Sequence, residues 1–102
     1  LGIQFLALME DGLYFEGARH AVRMAMLIRA AFERKGCDFL YDSPTNQQFP
    51  ILPDEQLRKL SEKYAFEVWR HMDGGRSAFR VCTCWATKEE DVRQLIADID
   101  DL

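Results

Sequence analysis

The sequence lacks the features that would tie it to a nucleic acid or a membrane. It has no basic block and its formal net charge is −4, so it offers no electrostatic footprint for nucleic acid or for an anionic membrane. Residues 1–9 are apolar, but they are too few for a membrane span and have no basic flank like that of a signal peptide. The sequence therefore predicts neither a nucleic acid nor a membrane as a partner.

Cysteine and histidine are also scarce. The three cysteines, Cys37, Cys82 and Cys84, cannot all pair within the chain, which favours free thiols, a reducing compartment and a cytoplasmic location. Cys82 and Cys84 point the same way from a predicted strand, but His20 and His71 are distant and isolated in the sequence. We therefore predict buried thiols that pack as small hydrophobes, rather than a metal site or a redox pair, and a surface position for His71.

Apolar residues are abundant, since 48% of the 102 residues are hydrophobic, which is enough to bury the core of one compact domain. The longest helix is predicted over residues 13–35, with Gly36 in the C′ position. Its predicted inward stripe consists of Ala18, Ala21, Val22, Ala25, Ile28 and Phe32. Met26, Leu27 and Ala30 fall on the side marked by arginines, so the helix is apolar nearly all round. We expect further protein to cover its second face.

Short strands and helices alternate in the remaining sequence. The predicted strands cover residues 38–41, 47–52, 64–71 and 77–85, and a helix is predicted over residues 53–63. Pro50 indicates an edge or a bulge, and residues 73–75 form the turn of a hairpin. Thr87 is the predicted cap of a last helix, with Glu90 at the capping-box position. This order of elements predicts an α+β fold with helices packed on one face of a mainly antiparallel sheet.

One cation interrupts the apolar pattern of the last strand. Alternation places Arg80 with Cys82 and Cys84 on the face opposite Phe79. A cation on a half-buried strand needs an anion, which is either Glu67 on the partner strand or the carboxylate of a bound ligand. The residue pattern leaves both alternatives open. The lysines all fall at helix ends or on polar helix faces, so none is predicted to be an activated amine.

Four segments are distinctive as a set. They are Gly2-Ile3-Gln4-Phe5, Glu10-Asp11-Gly12-Leu13-Tyr14-Phe15, Asp42-Ser43-Pro44-Thr45-Asn46-Gln47-Gln48-Phe49-Pro50-Ile51-Leu52-Pro53 and Arg80-Val81-Cys82-Thr83-Cys84-Trp85. Together they resemble the C-terminal part of low-specificity L-threonine aldolases, and the segment 42–53 is the most specific of them. Cys82 stands where that family more often has an aliphatic residue. These enzymes are pyridoxal-phosphate proteins of the β-eliminating lyase group with the aspartate-aminotransferase-like fold.

The resemblance implies that residues 1–102 are a small C-terminal domain, with linking apolar helices over residues 1–35 and a sheet portion over residues 36–102. It implies that Arg80 binds the α-carboxylate of an amino-acid substrate. Pyridoxal phosphate and its Schiff-base lysine are then expected in a domain upstream of Leu1. A chain that starts without methionine is expected of such a fragment.

The activity that the resemblance implies is cleavage of a threonine-like β-hydroxy-α-amino acid to glycine and an aldehyde. The full-length protein is expected to be a homo-oligomeric lyase, whereas this chain alone is expected to be inactive. One alternative is an aminotransferase or another lyase of the same fold, because sites rather than folds carry function. The other is a freestanding α+β module that binds a ligand or a partner, with Arg80 in a surface ion pair.

Overall fold

The computed structural model describes residues 11–102 of the chain. In order, its elements are α1 (Asp11–Arg34), β1 (Gln47–Gln48), β2 (Ile51–Pro53), α2 (Asp54–Ser61), β3 (Glu67–Met72), β4 (Arg76–Cys82) and α3 (Glu89–Asp100). The three helices pack on a four-stranded antiparallel sheet, which confirms the predicted α+β fold. Within these residues no helix is long and apolar enough to cross a membrane. The matched segment 2–5 and the start of the predicted linking helices lie outside the described residues.

Helix α1 ends as the sequence predicts. Gly36 has a φ of 77°, and the amides of Gly36 and Cys37 donate to the carbonyls of Glu33 and Phe32 at 2.9 Å and 3.1 Å. These two bonds form a Schellman motif, which satisfies carbonyl groups that the helix end would otherwise leave without partners. The C′ position predicted for Gly36 is therefore confirmed.

The buried face of α1 differs in part from the predicted stripe. Among residues 17–34 of α1, the buried ones are Ala21, Met24, Ala25, Ile28, Ala31 and Phe32. Ala18, which the spacing places inward, is exposed, and Val22 is only half-buried. The packed face is rotated toward Met24 and Ala31, because α3 and the sheet meet the helix on that side. Leu27, at the margin of this buried face, is 37% exposed.

The first predicted pair of strands is more broken than the sequence indicates. Residues 38–41 form no strand, and Phe39 makes an isolated bridge with Pro50. The predicted strand 47–52 divides into β1 and β2 around Pro50, because proline has no amide hydrogen to donate to a ladder. The Pro50 carbonyl still accepts the Phe79 amide at 3.1 Å, so both short strands follow the same edge of β4.

The hairpin of β3 and β4 is confirmed, with shorter strands than predicted. Gly74 and Gly75 in the turn have φ values of 78° and 72°, which side chains with a Cβ rarely adopt. Strand β3 begins at Glu67 rather than at residue 64, and β4 ends at Cys82 rather than at residue 85. Trp85 lies in a turn and is 43% exposed, so the predicted strand alternation does not reach it.

Helix α3 does not start at the predicted cap. Its N-cap residue is Lys88, and no side chain caps its first turn, so the predicted capping box with Glu90 is wrong. The hydroxyl of Thr87 instead accepts the Cys84 amide at 2.9 Å. Thr87 thereby closes the turn between β4 and α3, which is a second role that Ser and Thr side chains have near helix starts.

A single hydrophobic core cluster lies between the sheet and the helices. Phe79 of β4 is fully buried, and the centre of its ring lies 5.7 Å from that of Phe32 and 5.0 Å from that of Phe66. The other helices contribute Leu57, Leu60, Val92, Leu95 and Ile99. Because Phe79 and Val81 face the helices, Ala78, Arg80 and Cys82 point to the other face of β4.

Candidate functional site

Arg80 lies on β4, on the face of the sheet opposite the helices. Its neighbours Phe79 and Val81 are 0% and 5% exposed in the core, so the Arg80 side chain points to the other face. Strand β4 is central, with β1 and β2 on one edge and β3 on the other. The Arg80 side chain, 30% exposed, is therefore carried by a well-supported strand rather than by a loop.

Two residues of β3 contact the guanidinium of Arg80. Nη2 donates to Oε1 of Glu67, which is directly opposite on the hairpin. Cζ lies 5.6 Å from the centre of the Trp69 ring, in the geometry of a cation–π contact. The ion pair is one of the two alternatives that the sequence left open. Among the described residues, Nε and Nη1 of Arg80 have no hydrogen-bond partner, so the guanidinium keeps donors for a second anion.

Trp69 begins a row of aromatic rings that sequence reasoning missed. Its ring centre lies 5.2 Å from that of Phe49, and Phe49 lies 5.1 Å from Tyr41, both in edge-to-face geometry. Alternation along β3 places Trp69 on the same face as Glu67, although a bulge lies between Val68 and Arg70. The sequence signal for the row itself was only the presence of aromatic residues in three separate segments, which a period-two pattern cannot bring together.

A cavity of about 460 Å³ opens beside Arg80. It lies beyond the Glu67 end of β3, where the last residues of β4 have no strand partner on that edge within the described chain. Arg80, Glu67, Lys63 and Asp91 supply charged groups to its lining, and α1, α3 and β4 supply apolar groups. A small polar molecule held by Arg80 would therefore have open space next to it.

Tyr64 also lines this cavity and joins it to α3. Its hydroxyl donates to Oδ2 of Asp98, and Lys63 donates to Oδ1 of the same carboxylate at 3.2 Å. Burial, followed by the hydrogen bond to Asp98, raises the pKa of Tyr64 to about 12. The hydrogen bond from Tyr64 holds the pKa of Asp98 below its usual value. At neutral pH Tyr64 is therefore protonated and Asp98 is ionised. The hydrogen bond between them ties the segment before β3 to α3.

The segment 42–53 supports the strand that carries Arg80. The side-chain amide of Asn46 donates to the Thr83 carbonyl at 2.7 Å, and the Thr83 hydroxyl donates to the Ala21 carbonyl in α1. Gln48 is buried and donates to the carbonyls of residues 43 and 45 at 2.8 Å and 3.0 Å. The most specific part of the family resemblance thus supports β4, and none of its residues lines the cavity beside Arg80.

The two histidines take part in contacts away from the guanidinium. His71 is exposed, as predicted, and its Nδ1 is 2.9 Å from the hydroxyl of Ser77, which donates to Asp54 at 2.6 Å. His20 is not isolated in the fold, because its Nε2 lies within hydrogen-bond distance of the Thr87 carbonyl. Both histidines therefore join elements of the fold, and neither lines the cavity beside the arginine.

The three cysteines are free, as predicted, but Cys82 and Cys84 are half-buried rather than buried, and Cys37 is half-buried as well. Burial raises the pKa of the Cys37 and Cys82 thiols, which keeps both protonated at neutral pH. In the part of the chain that the structure describes, no three histidine, cysteine, aspartate or glutamate side chains are grouped as metal ligands. The arginine site is thus the candidate with the clearest chemistry.

Comparison with known proteins identifies a structural relative. The fold is similar to that of Leishmania major threonine aldolase, with a TM-score of 0.88 and 33% sequence identity. The match covers 99% of this chain and 30% of that chain, so this chain spans less than a third of the relative's length. No protein-family model and no curated protein sequence matches it. The structural match confirms that the chain resembles a threonine aldolase, and its extent fits the predicted C-terminal part.

Proposed function

We propose that this chain is the small C-terminal domain of a pyridoxal-phosphate-dependent lyase. The reaction would be cleavage of a threonine-like β-hydroxy-α-amino acid to glycine and an aldehyde. The observation that supports this most is the position of Arg80 on an outward sheet face, with donors that no residue of 11–102 accepts, in a chain that matches a threonine aldolase over 99% of its length. The role of Arg80 in this proposal is to bind the α-carboxylate of the substrate.

A guanidinium suits that role because its planar donors match the two oxygens of a carboxylate. Trp69 lies against Arg80 on one side and limits the directions from which an anion can approach. A carboxylate held through two parallel hydrogen bonds has a fixed plane, and this fixes the orientation of the Cα substituents as well. Arg80 would thereby place the scissile bond of the amino acid relative to the rest of the active site.

Pyridoxal phosphate would supply the electron sink for this bond cleavage when it is bound to the full-length protein. The lysines of this chain do not fit a Schiff-base role. Lys63 is 62% exposed and pairs with Asp98, and Lys35 is exposed and donates to the carbonyl of Leu102 at 2.8 Å. Neither is desolvated, and desolvation is one of the ways in which a lysine becomes a nucleophile. The cofactor would accordingly be held by protein upstream of Leu1, and this chain would contribute substrate binding.

The proposal also includes an oligomeric full-length protein located in the cytoplasm. Leu27 is 37% exposed on α1, outside the buried face of the helix. An apolar residue on this side, beside half-buried Met26 and Ala30, fits contact with the upstream domain or with another subunit. The upstream domain and a second copy of the chain are therefore the partners that we propose.

The test uses the product of the whole reading frame that contains this chain. After treatment with pyridoxal phosphate and borohydride, intact-mass and peptide analysis should locate a reduced adduct on a lysine upstream of Leu1. The same protein should release glycine from threonine, and residues 1–102 alone should release none. A full-length protein with no adduct and no glycine release would refute the proposed function.

The Arg80–Glu67 ion pair supports a second candidate, which is a freestanding module that binds a ligand or a partner. In that case the guanidinium already has its anion, and the cavity of about 460 Å³ beside it would be the binding site. A reading frame that starts near Leu1 and gives no adduct would favour this candidate.

A further inference from the structure

We propose that Glu67 is an internal competitor of the substrate carboxylate at Arg80 and thereby sets the substrate affinity of the site. This inference rests on the proposed function, because it requires Arg80 to bind a carboxylate. It adds a residue to which the sequence analysis gave no role in substrate binding.

The position of the Glu67 contact on the guanidinium carries the argument. A guanidinium presents two pairs of parallel N–H donors to a carboxylate, and both pairs include one N–H of Nη2. Nη2 is the atom that donates to Oε1 of Glu67. A substrate carboxylate that binds either pair must therefore share Nη2 with Glu67 or displace it.

Sharing brings two negative charges together. Two oxygens that each lie about 2.8 Å from the same nitrogen are separated by roughly 5 Å. At that distance two carboxylates repel each other appreciably even with substantial screening by solvent. The Trp69 ring lies against the same guanidinium and restricts other approaches, so the incoming carboxylate has little freedom to move away from Glu67.

Displacement is possible because Glu67 is weakly held. Its side chain is 55% exposed, and its described contact with Arg80 involves a single nitrogen, Nη2. Exposed ion pairs of this kind contribute little to stability, so Glu67 can leave without unfolding the hairpin. Glu67 contacts Nη2 of the guanidinium when no substrate is bound, and the substrate carboxylate displaces it. This displacement lowers the affinity of the site for the substrate.

The test compares the full-length enzyme with its Glu67→Gln variant. Glutamine keeps an oxygen that can accept from Nη2 but removes the negative charge. The KM for threonine should fall about three- to tenfold, the range expected when one unit charge about 5 Å away is removed in a well-screened site. Glycine, tested as a competitive inhibitor, should bind more tightly to the variant by a similar factor. Glycinamide, in which a neutral amide replaces the carboxylate, should not.

Glu90→Gln is the matched control, because Glu90 is an exposed residue of α3 that is not part of the cavity lining. It removes the same charge and should leave the KM unchanged. A KM that stays the same or rises in Glu67→Gln would overturn the competition, since Glu67 would then be neutral or supportive. If Arg80→Ala also leaves the KM unchanged, the carboxylate role of Arg80 fails as well. If Arg80→Ala raises the KM while Glu67→Gln does not lower it, only the competition by Glu67 is refuted.

Discussion

Replacement of Arg80 by alanine should weaken substrate binding by the full-length enzyme. Two of the three donor nitrogens of the Arg80 side chain, Nε and Nη1, have no partner in the described chain, and the third, Nη2, donates to Glu67. Alanine removes all of them but leaves the backbone of β4 and the buried neighbour Phe79 in place. The loss should therefore be in binding of the α-carboxylate rather than in folding of the domain.

The size of the effect follows from the hydrogen bonds and their surroundings. A hydrogen bond to a charged group contributes about 1.5–3 kcal/mol when it is well protected from water. Arg80 is 30% exposed and Glu67 competes at Nη2, so two hydrogen bonds to the substrate should contribute less binding free energy than two fully protected ones. A net loss of about 2 kcal/mol corresponds to an increase of roughly 30-fold in KM. Lysine at this position keeps the charge but not the fork, and should give an intermediate KM.

The assay is glycine release from threonine over a range of substrate concentrations, with kcat and KM determined separately. Arg70→Ala is the matched control, because Arg70 is an exposed arginine of the adjacent strand β3 and lies opposite Ala78 rather than in the site. An unchanged KM in Arg80→Ala, with normal folding by circular dichroism, would refute the assignment of Arg80 to the carboxylate. If the KM rises equally in Arg70→Ala, the effect comes from the loss of positive charge in this region and not from a specific contact of Arg80.

Four further predictions concern stability and assembly. Phe79→Ala should lower the free energy of unfolding by about 3–5 kcal/mol, because it empties a fully buried aromatic site; urea denaturation measures this, and Trp85→Ala, at an exposed turn, should cost far less. The raised pKa of Tyr64 means that its contribution to stability is complete below pH 10 and is lost as the pH rises toward 12, so Tyr64→Phe should flatten the alkaline limb of a thermal-melting profile. Because the pKa of Asp98 is lowered in the folded state, its contribution to stability is lost as the pH falls through that pKa. A thermal-melting profile of Asp98→Asn whose acid limb is unchanged would contradict this. Leu27→Glu should weaken subunit assembly or solubility, and an elution volume on size exclusion equal to that of the wild type would argue against an interface there.

Local signals in the sequence were sufficient for the elements whose causes are local. The helix end at Gly36 and the turn at Gly74 and Gly75 follow from conformations that glycine adopts at low cost, and the structure contains both. The side of β4 on which Arg80 lies follows from strand alternation. These features depend on neighbours within a few residues, which the sequence displays directly.

Errors arose where a distant contact decided the outcome. Thr87 has the chemistry of a helix cap, but it bonds instead to the amide of Cys84 because the chain turns there to bring α3 onto the core. Residues 38–41 have a strand-like pattern, yet Phe39 finds only the bridge to Pro50, since the proline interrupts the partner strand. In both cases local propensity was compatible with two conformations, and tertiary packing selected one of them.

The sequence by itself determined that this chain has an α+β fold, that one arginine stands in an apolar strand, and that four segments resemble threonine aldolases. Only the tertiary structure decided what surrounds that arginine. Glu67 meets Nη2 because the hairpin register places it opposite, and the same register brings Trp69, two residues further along β3, to the guanidinium. Register and bulges depend on how whole strands pair and pack, so the arrangement of anion, aromatic ring and free donors cannot be obtained from the spacing of residues along one strand.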